Sequence, residues 1–368
     1  MKILISAANY AYSFVVQANA LAKGFSQNHN DNLLLLVNKP EDIVPALEQF
    51  HPDVVISIGN WYDYNLLVKQ PLQQGYRVIP WVVADFVQPT KDFIGDCNRL
   101  PLILTPSLHC KNDMVKFGVS SDIIKIIPEA VDPDLWYPMH ENELTPFLEY
   151  LSIPIVNTFS VNQWNLVKAH QLQIPIIYTT GGDATRKGAQ EVIQALGKLD
   201  PAIPWLYMIK TWSSVKVFKK SIEELNLAQK LGVDNRIRYL VGEFSHTFMR
   251  ALTNICDIYA APSRFEGFGL PLVEAQMCAK PVITTEATST KETVIDKYTG
   301  FHCKIGKVGP DYVKADIDDL SRHLHTLLTN HQLRRQMGQN ALNHARQNYS
   351  PLVIARKFLE VINNPGIK

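Results

Sequence analysis

The stretch DIYAAPSRFEGFGLPLVEAQMCAKPVITTE, residues 257–286, reads as a strand, a glycine-bearing loop, a helix and a second strand. DIYAAPS (257–263) and PVITTE (281–286) are short runs of the kind that form buried strands. Pro271 falls at or near the first position of the helix LPLVEAQMCA, where its missing N–H costs nothing. Gly267 and Gly269 remove side chains from the loop, so its backbone amides can approach a ligand closely. Two carboxylates bracket these glycines: Glu266 in the loop and Glu274 about one turn into the helix. An acid early in a helix commonly does no more than complement the helix dipole. The same carboxylate also accepts two hydrogen bonds from vicinal hydroxyls such as those of a ribose. An acid pair on either side of a glycine loop is the rarer arrangement.

Outward from this unit the rhythm repeats along the whole chain. KILISA (2–7), NLLLLV (32–37), DVVISI (53–58), RVIPWVV (77–83), LILTPS (102–107) and IIKIIP (123–128) are strand-like in the first half. They do not alternate apolar with polar residues, as expected of parallel strands covered by helices on both faces. IPIIYTT (174–180), WLYMIK (205–210), IRYLVG (237–242) and GFHCKI (300–305) join the two runs of the opening stretch in the second half. Between the first two of these, Val192, Ile193, Leu196 and Leu199 have the spacing of a helix packed on a sheet. The pattern predicts an α/β protein of two Rossmann-like doubly wound domains, facing across a cleft with ligands bound at the C-terminal ends of the strands. VDPDLWYPMHENELTPFLEYLSIP (131–154), with its four prolines, holds the connection. The expected domains are 1–150 and 151–349, with a C-terminal helix at about 350–368 packing back on the first.

A length of 368 residues exceeds one typical core and agrees with two domains. A net charge of +1 gives no general attraction for nucleic acid or an anionic membrane, so no nucleic-acid partner and at most peripheral membrane contact are expected. Five cysteines, odd in number and without a C-x-x-C pair, suit reduced thiols in the cytoplasm better than disulfides or a zinc site. The N-terminal apolar run is too short for a signal segment, and no run approaches the roughly 18 apolar residues of a membrane span. His323, His325 and His331 show no metal-ligand spacing; His109 reads as structural and His246 as a cap or solvent-facing residue at a helix start.

A second loop carries chemistry. In TTGGDATRKGAQEVIQAL (179–196) a strand ends, Gly181 and Gly182 permit a tight turn, and a helix is expected to start near Thr185, capped by Asp183 or Thr185. Arg186 and Lys187 would then lie in its first turn, where cations are normally unwelcome, which suggests a compensating anionic ligand. A solvated basic pair on a surface helix is the simpler alternative. Lys210, ending its strand, is placed by topology to assist phosphates.

These motifs, in this order, resemble the Glu-x7-Glu signature of the retaining GT-B glycosyltransferases of family 4. IPEAVDPDLWYP (127–138) resembles the segment before the interdomain hinge, TRKG (185–188) the diphosphate loop, and VGEFSHTFMRALTNICDIYAAPS (241–263) and ETVIDKYTGFHC (292–303) the flanks of the acid pair. The likeness is close over 174–305, looser over 100–137 and weak at the N-terminus. It implies transfer of a hexose-type sugar from a nucleotide-diphosphate sugar to a hydroxyl on a carbohydrate, lipid-linked or small-molecule acceptor, without metal or other cofactor. It further implies that Arg186 and Lys187 hold the diphosphate, Glu274 the ribose, and Glu266 lies beside the transferred sugar. The backbone of Gly267, Phe268, Gly269 and Leu270 would meet the donor. Many members carry an arginine where this chain has Gly182; the adjacent Arg-Lys is similar to lipopolysaccharide-core glucosyltransferases.

The N-terminal half departs from that family. SAANYAYSFVVQANAL (6–21) lacks the usual Gly-Gly loop, leaving Asn9 and Ser13 as polar contacts, and WVVADFVQP (81–89) has Asp85 where many members place a histidine. Asp85 is either a catalytic carboxylate or simply a strand end. Trp61, Tyr62 and Tyr64 in GNWYDYN (59–65) either stack on an acceptor sugar or pack their loop. Two other functions remain open at this point: a nucleotide-sugar-binding relative without transferase activity, and a nucleotide-sugar epimerase.

Overall fold

A computed structural model describes the chain except residues 9–11, 29–32, 38, 40–41, 61–62, 84–88, 153–165, 182–185, 213–214, 310–311 and 364–368. It divides into two compact units, Met1–Asp132 with Gln347–Lys368, and Pro133–Arg346. Each is built on a six-stranded sheet in which every pairing is parallel.

The first sheet comprises β1 (Lys2–Ala7), β2 (Leu33–Val37), β3 (Val54–Gly59), β4 (Val78–Val82), β5 (Ile103–Thr105) and β6 (Ile124–Ile126), in the order β2-β1-β3-β4-β5-β6. The helix Pro351–Ile362 returns to this unit and buries Ile354, Ala355, Phe358 and Ile362 in its core. Phe358 meets Trp81 edge-on at 5.1 Å, and the Val131 amide donates to the Tyr349 carbonyl at 2.8 Å, where the outgoing and returning chains run side by side. Gly24 is required by this docking, since a Cβ there would lie 2.1 Å from the Pro351 carbonyl oxygen.

The second sheet comprises β7 (Ile176–Thr180), β8 (Leu206–Thr211), β9 (Ile237–Val241), β10 (Ile258–Ala261), β11 (Val282–Thr285) and β12 (Gly300–Cys303), ordered β12-β11-β10-β7-β8-β9. Its strands send alternate residues into two cores. Ile177, Tyr207, Ile237 and Ile258 enter one, and Ile176, Tyr178, Met208 and Tyr259 the other. Burial on both faces is the physical reason the runs read as continuously apolar.

Two expectations change. The break between units falls at Asp132–Pro133 rather than at 150, because the helix Glu141–Ser152 buries Leu144, Leu148 and Leu151 in the second unit's core. A hairpin of β13 (Ile305–Val308) and β14 (Val313–Ala315), unexpected from the sequence, precedes the helix Ile317–Thr329. All five cysteines are buried and free. Among the described residues no helix is long and apolar enough to cross a membrane.

Candidate functional site

The order of the second sheet places a topological switch between β10 and β7, from which successive strands run outward in opposite directions. Connections then leave on opposite faces, and a crevice opens beyond the C-terminal ends of those two strands. The loops entering it are the two that the sequence singles out, after β7 and after β10.

β7 ends at Thr180, and Gly181, at φ 107°, donates its N–H to the Lys210 carbonyl at 2.7 Å. Beyond the undescribed residues, Arg186 has φ 65° and Gly188 φ 76°, both in the left-handed region. The helix begins only at Ala189, with Gly188 at its N-cap. The expected caps, Asp183 and Thr185, lie outside the described residues, and Arg186 and Lys187 precede the first turn instead of lying in it. The late start has a tertiary cause: a Cβ on Gly188 would sit 2.4 Å from the Pro262 carbonyl oxygen. The two loops therefore pack backbone to backbone, and the Arg264 N–H donates to the Arg186 carbonyl at 2.8 Å.

This packing brings Lys187 against Glu266 in an ion pair whose side chains are only 15% and 11% exposed. The Glu266 carbonyl accepts from the Ser289 hydroxyl at 2.9 Å, which holds the loop from a third side. Phe268, within the glycine loop, is buried. Gly269, at φ 94°, turns the chain into the helix Leu270–Met277, whose first turn contains Pro271. Arg186, by contrast, is exposed.

Glu274 is partly buried, and desolvation lifts its pKa from 4.5 to about 7, with the nearby Lys187 ammonium pulling the other way. Burial raises the phenols of the neighbouring Tyr178 and Tyr259, packed edge to face at 5.8 Å, and the Glu274 charge adds to it. Burial thus outweighs any benefit from the helix dipole, and the dipole-complementing reading does not explain this residue. Lys210 is buried too; desolvation lowers its pKa, opposed by Glu243, and its ammonium lies 4.1 Å from the Trp212 ring centre. One crevice therefore gathers Lys187 and two carboxylates, a set able to bind an anion and a polyhydroxylated group side by side.

Asn9, Trp61, Tyr62, Asp85 and Gly182 lie outside the described residues. Tyr64 is buried and packs edge-on against Phe93 at 5.0 Å, so of the two roles considered it packs its loop. His246 begins a helix capped by Ser245, not by its own side chain. The sequence reading missed Arg264 and Glu191. Arg264 donates to Glu191 from Nε at 3.0 Å and from Nη2 at 2.8 Å, and the Lys314 ammonium stands 3.7 Å from the same carboxylate. The available signal was Glu191 itself, an acid beside the apolar pair Val192–Ile193.

Residues 163–344 match the family described as glycosyl transferases group 1. This stretch is therefore similar to a group 1 glycosyltransferase domain. An uncharacterized glycosyltransferase of Methanocaldococcus jannaschii is 28% identical over 162 residues, 44% of this chain and 40% of that protein. A D-inositol 3-phosphate glycosyltransferase of Corynebacterium efficiens is 37% identical over 122 residues, 33% of this chain and 26% of that one. The matches thus span less than half the length of these relatives. The fold of Anabaena HepE, crystallised with UDP and glucose, superposes with a TM-score of 0.75 at 16% identity, covering 99% of this chain and 100% of that one. Both units of the present chain accordingly have the α/β folds seen in GT-B glycosyltransferases, and the matched stretch contains Lys187, Glu266 and Glu274.

Proposed function

We propose that the protein is a retaining glycosyltransferase that moves a hexose-type sugar from a nucleotide-diphosphate sugar to a hydroxyl acceptor. The observation that carries this is the Lys187–Glu266 pair at the β7–β10 switch point, with Glu274 close enough for Lys187 to lower its pKa. UDP and glucose in Anabaena HepE support a donor of this class.

In this reading the bond between the anomeric carbon and the diphosphate oxygen breaks, and the electron pair leaves with the nucleoside diphosphate. Lys187, Arg186 and Lys210 balance that negative charge, together with loop amides from Gly267 to Leu270. Preorganised donors of this kind are typically worth about 2.7–4 kcal/mol each in the barrier. Glu266 stabilises positive charge developing on the sugar, and Glu274 accepts from the ribose hydroxyls. The departing phosphate takes the acceptor's proton on the same face, so configuration is retained and no metal is required. We assign acceptor binding to the first unit through Asn9, Trp61 and Tyr62, with Asp85 a catalytic carboxylate. Five buried thiols suit a cytoplasmic enzyme.

The test is a thermal-shift and turnover screen with UDP-, GDP-, ADP- and CDP-sugars, with and without EDTA. One donor is expected to stabilise the protein and to be consumed with EDTA present, its product keeping the anomeric configuration. A donor that binds without being consumed would make this a binding protein, and strict dependence on a divalent ion would overturn the metal-free scheme.

A further inference from the structure

We propose that Arg264, locked to Glu191, is a positioning residue that sets the Lys187 loop against the Glu266 loop; the catalytic part of this inference rests on the donor-site reading above. The structure ties Arg264 to both loops and to the hairpin. Its N–H donates to the carbonyl of Arg186, immediately before Lys187, at 2.8 Å. Its guanidinium grips Glu191, in the first turn of the helix that follows Lys187, through the 3.0 and 2.8 Å bonds. Its carbonyl accepts from the Val313 N–H at 3.3 Å, and Lys314 on the same strand adds a second cation beside Glu191. Two positions further along stands Glu266, the partner of Lys187.

The chemistry of the pair explains why it suits positioning. The side chains are 13% and 3% exposed. A buried ion pair is often no more stabilising than apolar side chains of the same size. What a bidentate guanidinium–carboxylate contact does fix is direction, since two parallel bonds hold both planes. Lysine keeps the charge and loses the fork, which separates the two effects. Glu191 and Arg264 need touch neither donor nor acceptor: they act through Lys187 and Glu266.

The experiment compares wild type with Arg264→Lys and with the paired replacement Arg264→Met/Glu191→Leu, which leaves no unpaired buried charge. Hydrogen–deuterium exchange is read over 186–188 and 262–268, and kcat and donor Kd are measured at matched folded fraction. Both variants are expected to keep the sheet's protection and to exchange faster in those two loops. Their kcat should fall on the order of 100-fold, the scale of an ångström-sized misplacement, and at least ten times more than donor Kd rises. Unchanged loop exchange overturns the proposal, as does faster exchange with kcat intact or with kcat and affinity lost in equal measure. If wild type transfers no sugar, the functional reading fails, and loop exchange alone then decides whether Arg264 is the clasp.

Discussion

Glu274 meets two opposing demands, one from folding and one from the ligand assigned to it. Burial raises its pKa from 4.5 to about 7, so between those values the folded protein holds a proton that the unfolded chain has lost. Stability contributed at this site therefore falls as pH rises through that window, and the full penalty is present above about pH 7. At about 1.4 kcal/mol per unit the penalty is on the order of 3 kcal/mol, reduced by the solvent contact the carboxylate keeps. Glu274→Gln should raise the melting temperature of the donor-free protein at pH 8 and leave it nearly unchanged near pH 4.5. The same change should weaken sugar-nucleotide binding, because an amide oxygen cannot replace both carboxylate acceptors. Equal melting temperatures at pH 8 would refute the burial argument. Lys187 carries a different prediction. Lys187→Ala should reduce transfer by about 10²–10³-fold, the effect of losing one preorganised donor, and wild-type-like turnover would remove it from the site.

At the scale of elements, the site is two loops interlocked through their backbones. Gly188 has no room for a side chain against Pro262, and its φ of 76° is unfavourable for any other residue. Gly188→Ala should therefore part the loops, cost about 1–3 kcal/mol of stability and weaken donor binding, measurable by denaturant titration and calorimetry. This contact also marks where the sequence stops being legible. Continuous apolar runs located the strands of both sheets because a strand buried on two faces leaves a local imprint. The acid pair and the Arg-Lys pair were visible as charges set beside glycine-bearing loops that follow strands. The helix start was misplaced because Asp183 and Thr185 look like caps, while the deciding contact, with Pro262, is remote in sequence. The Arg264–Glu191 pair, 73 residues apart, was hidden for the same reason. The β13–β14 hairpin left little apolar signal, since all four residues of β13 are exposed.

For the whole molecule, the chain leaves the first unit at Asp132 and comes back at Gln347, so the last helix completes a core begun far upstream. Phe358 is fully buried there, edge-on to Trp81 at 5.1 Å and to Phe25 at 6.3 Å, and Arg77 donates to the Ile362 carbonyl at 2.9 Å. Removing such an aromatic side chain typically costs about 3–5 kcal/mol, the lost burial plus the cavity left behind. The loss should fall on the first unit, because the second has separate cores and its own sheet. Two units with separate cores need not melt as one, so calorimetry rather than a single midpoint is the proper readout. Phe358→Ala should lower one transition and leave the other near its wild-type position. A nucleotide sugar held by the second unit, as proposed, should raise the transition that the mutation spares, by mass action on the unit that binds it. If the donor instead raised the transition that Phe358→Ala lowers, the principal donor contacts would belong to the first unit, and Lys187 and Glu274 would lose the role assigned to them.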